Sequence, residues 1–177
     1  MSTLVLHPAD PSTDFLKKIY DGIDCDVISD FSDITDEQLK ETISEYDRII
    51  MLGHGSEWGL HDNLANRIVV DDSFAEVLRG KILIGIWCRA NIYFLVHDLE
   101  GFRTGMFISD AEEAGQYGVD AGEDCKDVNA SNEMFAKVMN DILKSECSPV
   151  LISEEVYNRY QDKSNEVTNA NRHFMFS

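Results

Sequence analysis

Two stretches decide the reading of this chain: Arg48-Ile-Ile-Met-Leu-Gly-His-Gly55 and Lys81-Ile-Leu-Ile-Gly-Ile-Trp-Cys88. Each is apolar on consecutive positions, with no alternation of polar and apolar residues. That pattern belongs to a central strand covered on both faces, as in a parallel sheet. Each stretch also ends on a residue able to do chemistry. His54 stands between Gly53 and Gly55, and Cys88 closes the second run.

Working outward, strands alternate with helical stretches. Thr3-Leu-Val-Leu-His7 reads as a first strand, and Pro8, Pro11 and Ser12 mark the turn after it. Phe15, Ile19 and Ile23 recur at helical spacing and predict a helix from about Asp14 to Asp21. Asp26-Val-Ile-Ser29 is a second strand. Thr35 with Gln38 forms a capping box that opens a helix carrying Leu39, Ile43 and Tyr46 on one face. Beyond the His54 run, the segment from Trp58 and the run Arg67-Ile-Val-Val70 predict a small hairpin. Ser73 with Glu76 reads as a second capping box for a short helix ending near Gly80. After Cys88 come a helix from about Asn91 to Leu99 and a fifth strand, Gly105-Met-Phe-Ile-Ser109. The segment from Ala111 to Asp127 is a helix turn and loop. Further helices are expected over Ser131 to Lys144 and Ser153 to Gln161, with an edge strand in the tail between Val167 and Phe176. Such alternation predicts an α/β fold with a mostly parallel central sheet, as one domain over residues 1–177.

Composition bounds the function. The chain of 177 residues carries 15 Lys and Arg against 33 Asp and Glu, a formal charge of −18. Such a surface repels phosphate backbones, so no nucleic-acid partner is expected. It favours cationic substrates, although the simpler role of an acidic surface is solubility. Met1 to Pro8 lacks the basic and long apolar regions of a signal peptide, and no apolar run is long enough to span a bilayer, so no membrane partner is expected. Cys25, Cys88, Cys125 and Cys147 are far apart and form no CxxC pair, which favours free thiols and a cytoplasmic address.

In open parallel sheets, ligands bind beyond the carboxyl ends of the strands. Four segments converge on that rim: His7-Pro8-Ala9-Asp10, Gly53-His54-Gly55, Cys88-Arg89 and Ser109-Asp110. Thiolate is the reactive form of cysteine, and an adjacent imidazole can generate it. His54 lies 34 positions before Cys88, at the end of the preceding buried strand, and consecutive crossover strands are often neighbours. The N–H groups of Gly55 and Cys88 are candidates for an oxyanion hole. Asp10 and Asp110 are candidates for a substrate-side pocket for Arg or Lys, though Asp110 before Ala111-Glu-Glu also suits a helix cap. Glu57 and Asp62 are candidates to orient His54, or else surface charges. Against all of this stands the packing reading, in which Cys88 fills space and His54 serves a turn.

The order strand-His-Gly, then strand-Cys, resembles the caspase-like cysteine peptidases, the group that also holds gingipains, clostripain, legumain, separase and the CHAT-domain proteins. The matching residues are Ile49-Ile-Met-Leu-Gly-His-Gly-Ser56 and Ile82-Leu-Ile-Gly-Ile-Trp-Cys-Arg-Ala90. Cys88-Arg89-Ala90 looks like the Cys-Arg-Gly of caspases, with alanine for glycine. The resemblance implies a three-layer α/β/α domain with strand order 2-1-3-4-5. It also implies His54 as catalytic histidine, Cys88 as nucleophile, the Gly55 and Cys88 amides as oxyanion donors, and a peptide or protein substrate. The chain departs from the pattern in three places. The His-to-Cys interval is shorter than the roughly 50 residues of caspases. Ile86-Trp87 replaces the glutamine and alanine before the cysteine, and Ile86 stands where clostripain-like relatives carry aspartate. Substrate specificity is therefore not carried over.

Other chemistries fit less well. His54, His61, Cys88 and Cys125 have no zinc-motif spacing, so neither a metal nor a cofactor is expected. Gly85 lies three positions before Cys88, where a hydrolase elbow needs glycine at two, and no glycine-rich phosphate loop follows the first strand. The remaining alternative is a caspase-like binding or signalling module with an inert dyad.

Overall fold

The computed structural model describes residues 1–145 and 151–176. The chain opens with β1 (Thr3–Leu6), buried throughout. Pro11–Ile19 follows as a 3-10 helix rather than the expected α-helix. It buries Thr13, Leu16 and Ile19, and a repeat of three residues is the stripe of a 3-10 helix. Next come β2 (Asp26–Ile28) and α1 (Asp36–Ser44). The α1 capping box forms as expected: Gln38 N–H donates to Thr35 Oγ1 and Thr35 N–H donates to Gln38 Oε1.

After β3 (Arg48–Leu52), the strands β4 (His54–Ser56), β5 (Gly59–Asp62) and β6 (Arg67–Val70) make a separate antiparallel sheet. The expected hairpin is thus extended by a third strand that begins at His54. α2 (Ala75–Leu78) is not opened by a Ser73–Glu76 box; Asp71 instead accepts the Ser73 N–H at 2.9 Å and starts the turn that leads into it. The chain continues with β7 (Ile82–Ile86), α3 (Ala90–Val96), β8 (Gly101–Thr104), α4 (Ala111–Gln116), α5 (Lys126–Lys144), α6 (Ile152–Arg159), α7 (Glu166–Arg172) and β9 (Met175–Phe176).

The central sheet runs β2-β1-β3-β7-β8-β9, parallel except for β9 on the edge. Its first five strands follow the expected 2-1-3-4-5 order, but the fifth lies at 101–104 and not at 105–109. In the apolar run Met106-Phe107-Ile108, Phe107 and Ile108 are buried in another way. Phe107 sits between Phe15 and Phe135. The backbone of Ile108 is satisfied by one side chain, since its N–H donates to Asn171 Oδ1 at 2.7 Å and its carbonyl accepts from Asn171 Nδ2 at 3.0 Å. With those groups paired, the segment needs no ladder. Most of the tail expected as an edge strand is α7, capped by Asn165, which accepts the Thr168 N–H; only Met175 and Phe176 pair with β8.

Both faces of the sheet are covered. Leu4, Leu6, Ile49, Met51 and Leu83 pack on one side with Leu39 and Ile43 of α1, Leu78 of α2 and Tyr93 and Phe94 of α3. The alternate residues Val5, Ile50, Leu52, Ile84 and Ile86 pack on the other with Leu16, Ile19, Phe135, Met139 and Val156. The protein is therefore mixed α/β with a mostly parallel central sheet, an arrangement compatible with three layers. Among the described residues no helix is long and apolar enough to cross a membrane.

Candidate active site

The site is built from the carboxyl ends of β3 and β7, which pair in parallel with Leu52 opposite Ile86. Gly53 N–H donates to the Ile86 carbonyl at 3.1 Å and carries the ladder one step further. The chain then turns sharply at Gly53, whose φ of 136° is open to glycine and strained for other residues. That turn sends His54 into β4, so His54 and Cys88 leave adjacent strands on the same rim.

Trp87 fixes β4. Its indole N–H donates to the Ser56 carbonyl at 3.0 Å, and its ring packs against Gly55. A Cβ on residue 55 would collide with Trp87 Cδ1 and lie 2.5 Å from the Gly59 carbonyl oxygen. Gly55 is thus required by the Trp87 contact itself, rather than only by the approach of a ligand. Beyond Cys88 the chain turns through Arg89 in the left-handed region, at φ 67°. The Arg89 N–H donates to the Gly105 carbonyl at 2.7 Å, and its guanidinium pairs with Glu57 at 3.0 Å.

His54 is held from one side. Its Nε2 lies 2.7 Å from Ser12 Oγ and 3.6 Å from Asp10 Oδ2. Ser12 donates its hydroxyl proton to Asp10 Oδ1, 2.7 Å away. A hydroxyl has one proton, so Ser12 Oγ accepts from His54, and Nε2 carries the hydrogen. Nδ1 is then the basic nitrogen. Asp10 itself is held below the usual carboxylate range, chiefly by Ser12 and further by the proximity of His54.

Cys88 is held from the other side. Its Sγ lies 4.0 Å from Glu113 Oε1. The second oxygen, Oε2, accepts both the Ser109 N–H at 2.7 Å and the Ser109 hydroxyl at 2.9 Å. Burial pushes the Cys88 thiol up, Glu113 and Asp110 add to that, and the Phe107 N–H and Arg89 oppose it. The balance favours the neutral thiol. His54 and Cys88 line one small cleft with Phe15, Phe107, Ser109 and Glu113, a cavity of about 20 Å³. No hydrogen bond joins the two side chains.

No known family model, curated protein or solved structure matches this chain. What the arrangement can do must therefore be read from its own residues.

The other residues singled out from the sequence fall into place around this pair. Asp10 caps the 3-10 helix through Ser12 and faces His54. Asp110 caps α4 and accepts the Glu113 N–H at 2.8 Å. Glu57 is spent on Arg89, and Asp62 is buried and accepts the Ala65 N–H; neither touches His54. His7 lies under the rim between Tyr20 Oη, at 3.1 Å, and Thr13 Oγ1, at 3.2 Å. His61 of β5 stands opposite His54 of β4 and lies 3.0 Å from Ser56 Oγ. Among the described residues no group of three or more His, Cys, Asp or Glu side chains is placed to hold a metal ion. Cys25 and Cys125 are unpaired thiols, and Cys147 lies outside the described residues.

Ser12 and Glu113 are the site residues that sequence reasoning passed over. Ser12 read only as part of a turn, and an Asp-x-Ser pattern could have been seen as an Asp10 side-chain turn. Glu113 stands at the Asp110-x-x-Glu113 spacing of a helix cap, a local signal that does not show its carboxylate reaching Cys88.

Proposed function

We propose that this chain is a cysteine peptidase of caspase-like type, cleaving a peptide or protein substrate in the cytoplasm, with Cys88 as nucleophile and His54 as its acid–base partner. The observation that carries this reading is that His54 and Cys88 line one cleft at the carboxyl ends of adjacent parallel strands. The unpaired state of Cys25, Cys88 and Cys125 agrees with a reducing compartment.

In this mechanism His54 Nδ1 takes the Cys88 proton as the sulfur adds to the scissile carbonyl carbon. The N–H groups of Gly55 and Cys88 hold the oxyanion. Collapse expels the amine, which takes the proton from His54, and leaves a thioester. His54 then deprotonates a water that attacks the thioester, releasing the acid and restoring the thiol. Asp10 and Ser12 keep Nε2 protonated, and Asp10 stabilises the imidazolium that forms.

The test is cleavage of Arg-, Lys- and Asp-directed peptide substrates by the parent and by Cys88→Ala and His54→Ala. The reading expects cleavage by the parent and its loss in both variants; cleavage that survives Cys88→Ala overturns it. The burial of the Cys88 thiol and the size of the cleft favour a second reading, a binding or signalling module with an inert dyad. A parent that cuts none of these substrates supports that reading.

A further inference from the structure

The side chain that accepts a hydrogen bond from the Cys88 sulfur is not the histidine that the peptidase reading pairs with it. It is Glu113, an acidic residue on a short helix, whose Oε1 lies 4.0 Å from the sulfur. Its position is built rather than incidental. Oε2 is fixed by both the N–H and the hydroxyl of Ser109, and the Glu113 N–H is fixed by the Asp110 cap. Oε1 is left to face the thiol. A carboxylate has no proton to donate, so this contact suits S–H and opposes S⁻. A carboxylate is a poor base for a thiol, because an ordinary carboxyl is more acidic than an ordinary thiol by about four pKa units. It can hold the proton on sulfur, but it cannot usefully remove it.

The space in front of the sulfur points the same way. The cavity of about 20 Å³ that His54, Cys88, Phe107, Ser109 and Glu113 share has room for about one water. Cys88 is only partly exposed, and a peptide carbonyl approaches Sγ more freely when that wall moves.

We propose that Glu113 is a latch on Cys88: clamped by Ser109, it engages the thiol and closes the cleft, and the site becomes reactive when α4 draws the carboxylate away. The inference deepens the peptidase reading by naming how that site is regulated. It is tested on thiol chemistry and not on cleavage, so the two can fail separately. The charged groups that face Cys88 are Glu113 of α4, Asp110 at its cap, Arg89 on the turn after the cysteine and, across the cleft, His54.

The experiment measures the rate of Cys88 alkylation by iodoacetamide against pH in the full chain, read by peptide mass spectrometry. The parent, Glu113→Gln and Glu112→Gln are compared; Glu112 is the exposed neighbour and controls for net charge. A unit charge about 4 Å away, even at the dielectric of water, changes a thiol equilibrium by about fivefold. Glu113→Gln should therefore move the midpoint of the rate profile to lower pH and raise the neutral-pH rate about fivefold or more. Glu112→Gln should follow the parent. Ser109→Ala keeps the carboxylate but removes one of the bonds that aim it, so a smaller rise in rate is expected. That variant serves if Glu113→Gln does not fold. Parent-like rates in both Glu113→Gln and Ser109→Ala overturn the latch. Fast alkylation of Glu113→Gln without peptide cleavage by either protein sustains the latch and counts against the peptidase.

Discussion

Acidification should destabilise this protein through His7, which lies at the carboxyl end of β1 directly under the site. His7 is 2% exposed, and burial, with Lys17 adding to it, lowers its pKa from 6.5 to about 4. The folded protein thus holds a neutral imidazole that the unfolded chain protonates more readily. For a group whose folded pKa is depressed, stability is fully present above the unfolded value and is lost as pH falls toward the folded one. The window runs from 6.5 down to about 4. Each pKa unit corresponds to about 1.4 kcal/mol, so the loss across the window is of the order of 3 kcal/mol. Urea unfolding of the parent and of His7→Gln, from about pH 7.5 to about pH 4.5, isolates this contribution. His7→Gln gives up imidazole contacts to Tyr20 and Thr13, a cost that does not depend on pH over this range. Acid-sensitive groups that do not act on His7, such as the depressed carboxylate of Asp47, are common to both proteins and cancel in the difference. The gap between parent and variant should therefore narrow or invert by about 2–3 kcal/mol on acidification. Parallel profiles would refute the reasoning.

Two further outcomes follow from the contacts around the cleft. NMR of the imidazole nitrogens should find His54 in the Nε2–H tautomer in the parent at neutral to mildly alkaline pH, with Nδ1–H gaining population in Asp10→Asn and Ser12→Ala; a parent already in the Nδ1–H form contradicts the hydrogen-bond assignment. Asn171→Ala leaves the buried N–H and carbonyl of Ile108 without partners, at a cost of about 2–4 kcal/mol measured by urea unfolding, and a change below about 1 kcal/mol would mean water or a backbone shift replaces both bonds.

Much of the fold was legible because its central strands are apolar on every position. Ile49 to Leu52 and Leu83 to Ile86 can only be buried on both faces, and the Thr35–Gln38 pair marks its helix start locally. What sequence could not show was decided by tertiary pairing. Met106-Phe107-Ile108 has strand composition, yet Asn171, 63 residues away from Ile108, satisfies its backbone and frees it from the sheet. The same limit applied to the site. His54 and Cys88 were visible because each ends a recognisable strand. Ser12 entered through the 3-10 helix, whose three-residue stripe competes with the helical spacing of Phe15 and Ile19. Glu113 entered through α4, whose Asp110 cap is legible locally while its approach to Cys88 is tertiary.

The two halves of the cleft are held with unequal strength, and this bears on which of them can open. On the histidine side, β4 is bonded to β5, its Ser56 carbonyl accepts from Trp87, and Gly55 packs directly on the Trp87 ring. Trp87 is itself buried against Tyr93 and Phe94. Moving His54 would mean unpacking part of that core. On the cysteine side, α4 buries only Ala114, which joins a small cluster with Ile108, Val128 and Val167. The rest of its attachment near the site is polar: the Asp110 cap and the Ser109–Glu113 bonds. Local opening follows the fewest buried apolar contacts. The wall that yields to a ligand is therefore the one carrying Glu113, and the same movement that makes room at Sγ withdraws the carboxylate that disfavours the thiolate.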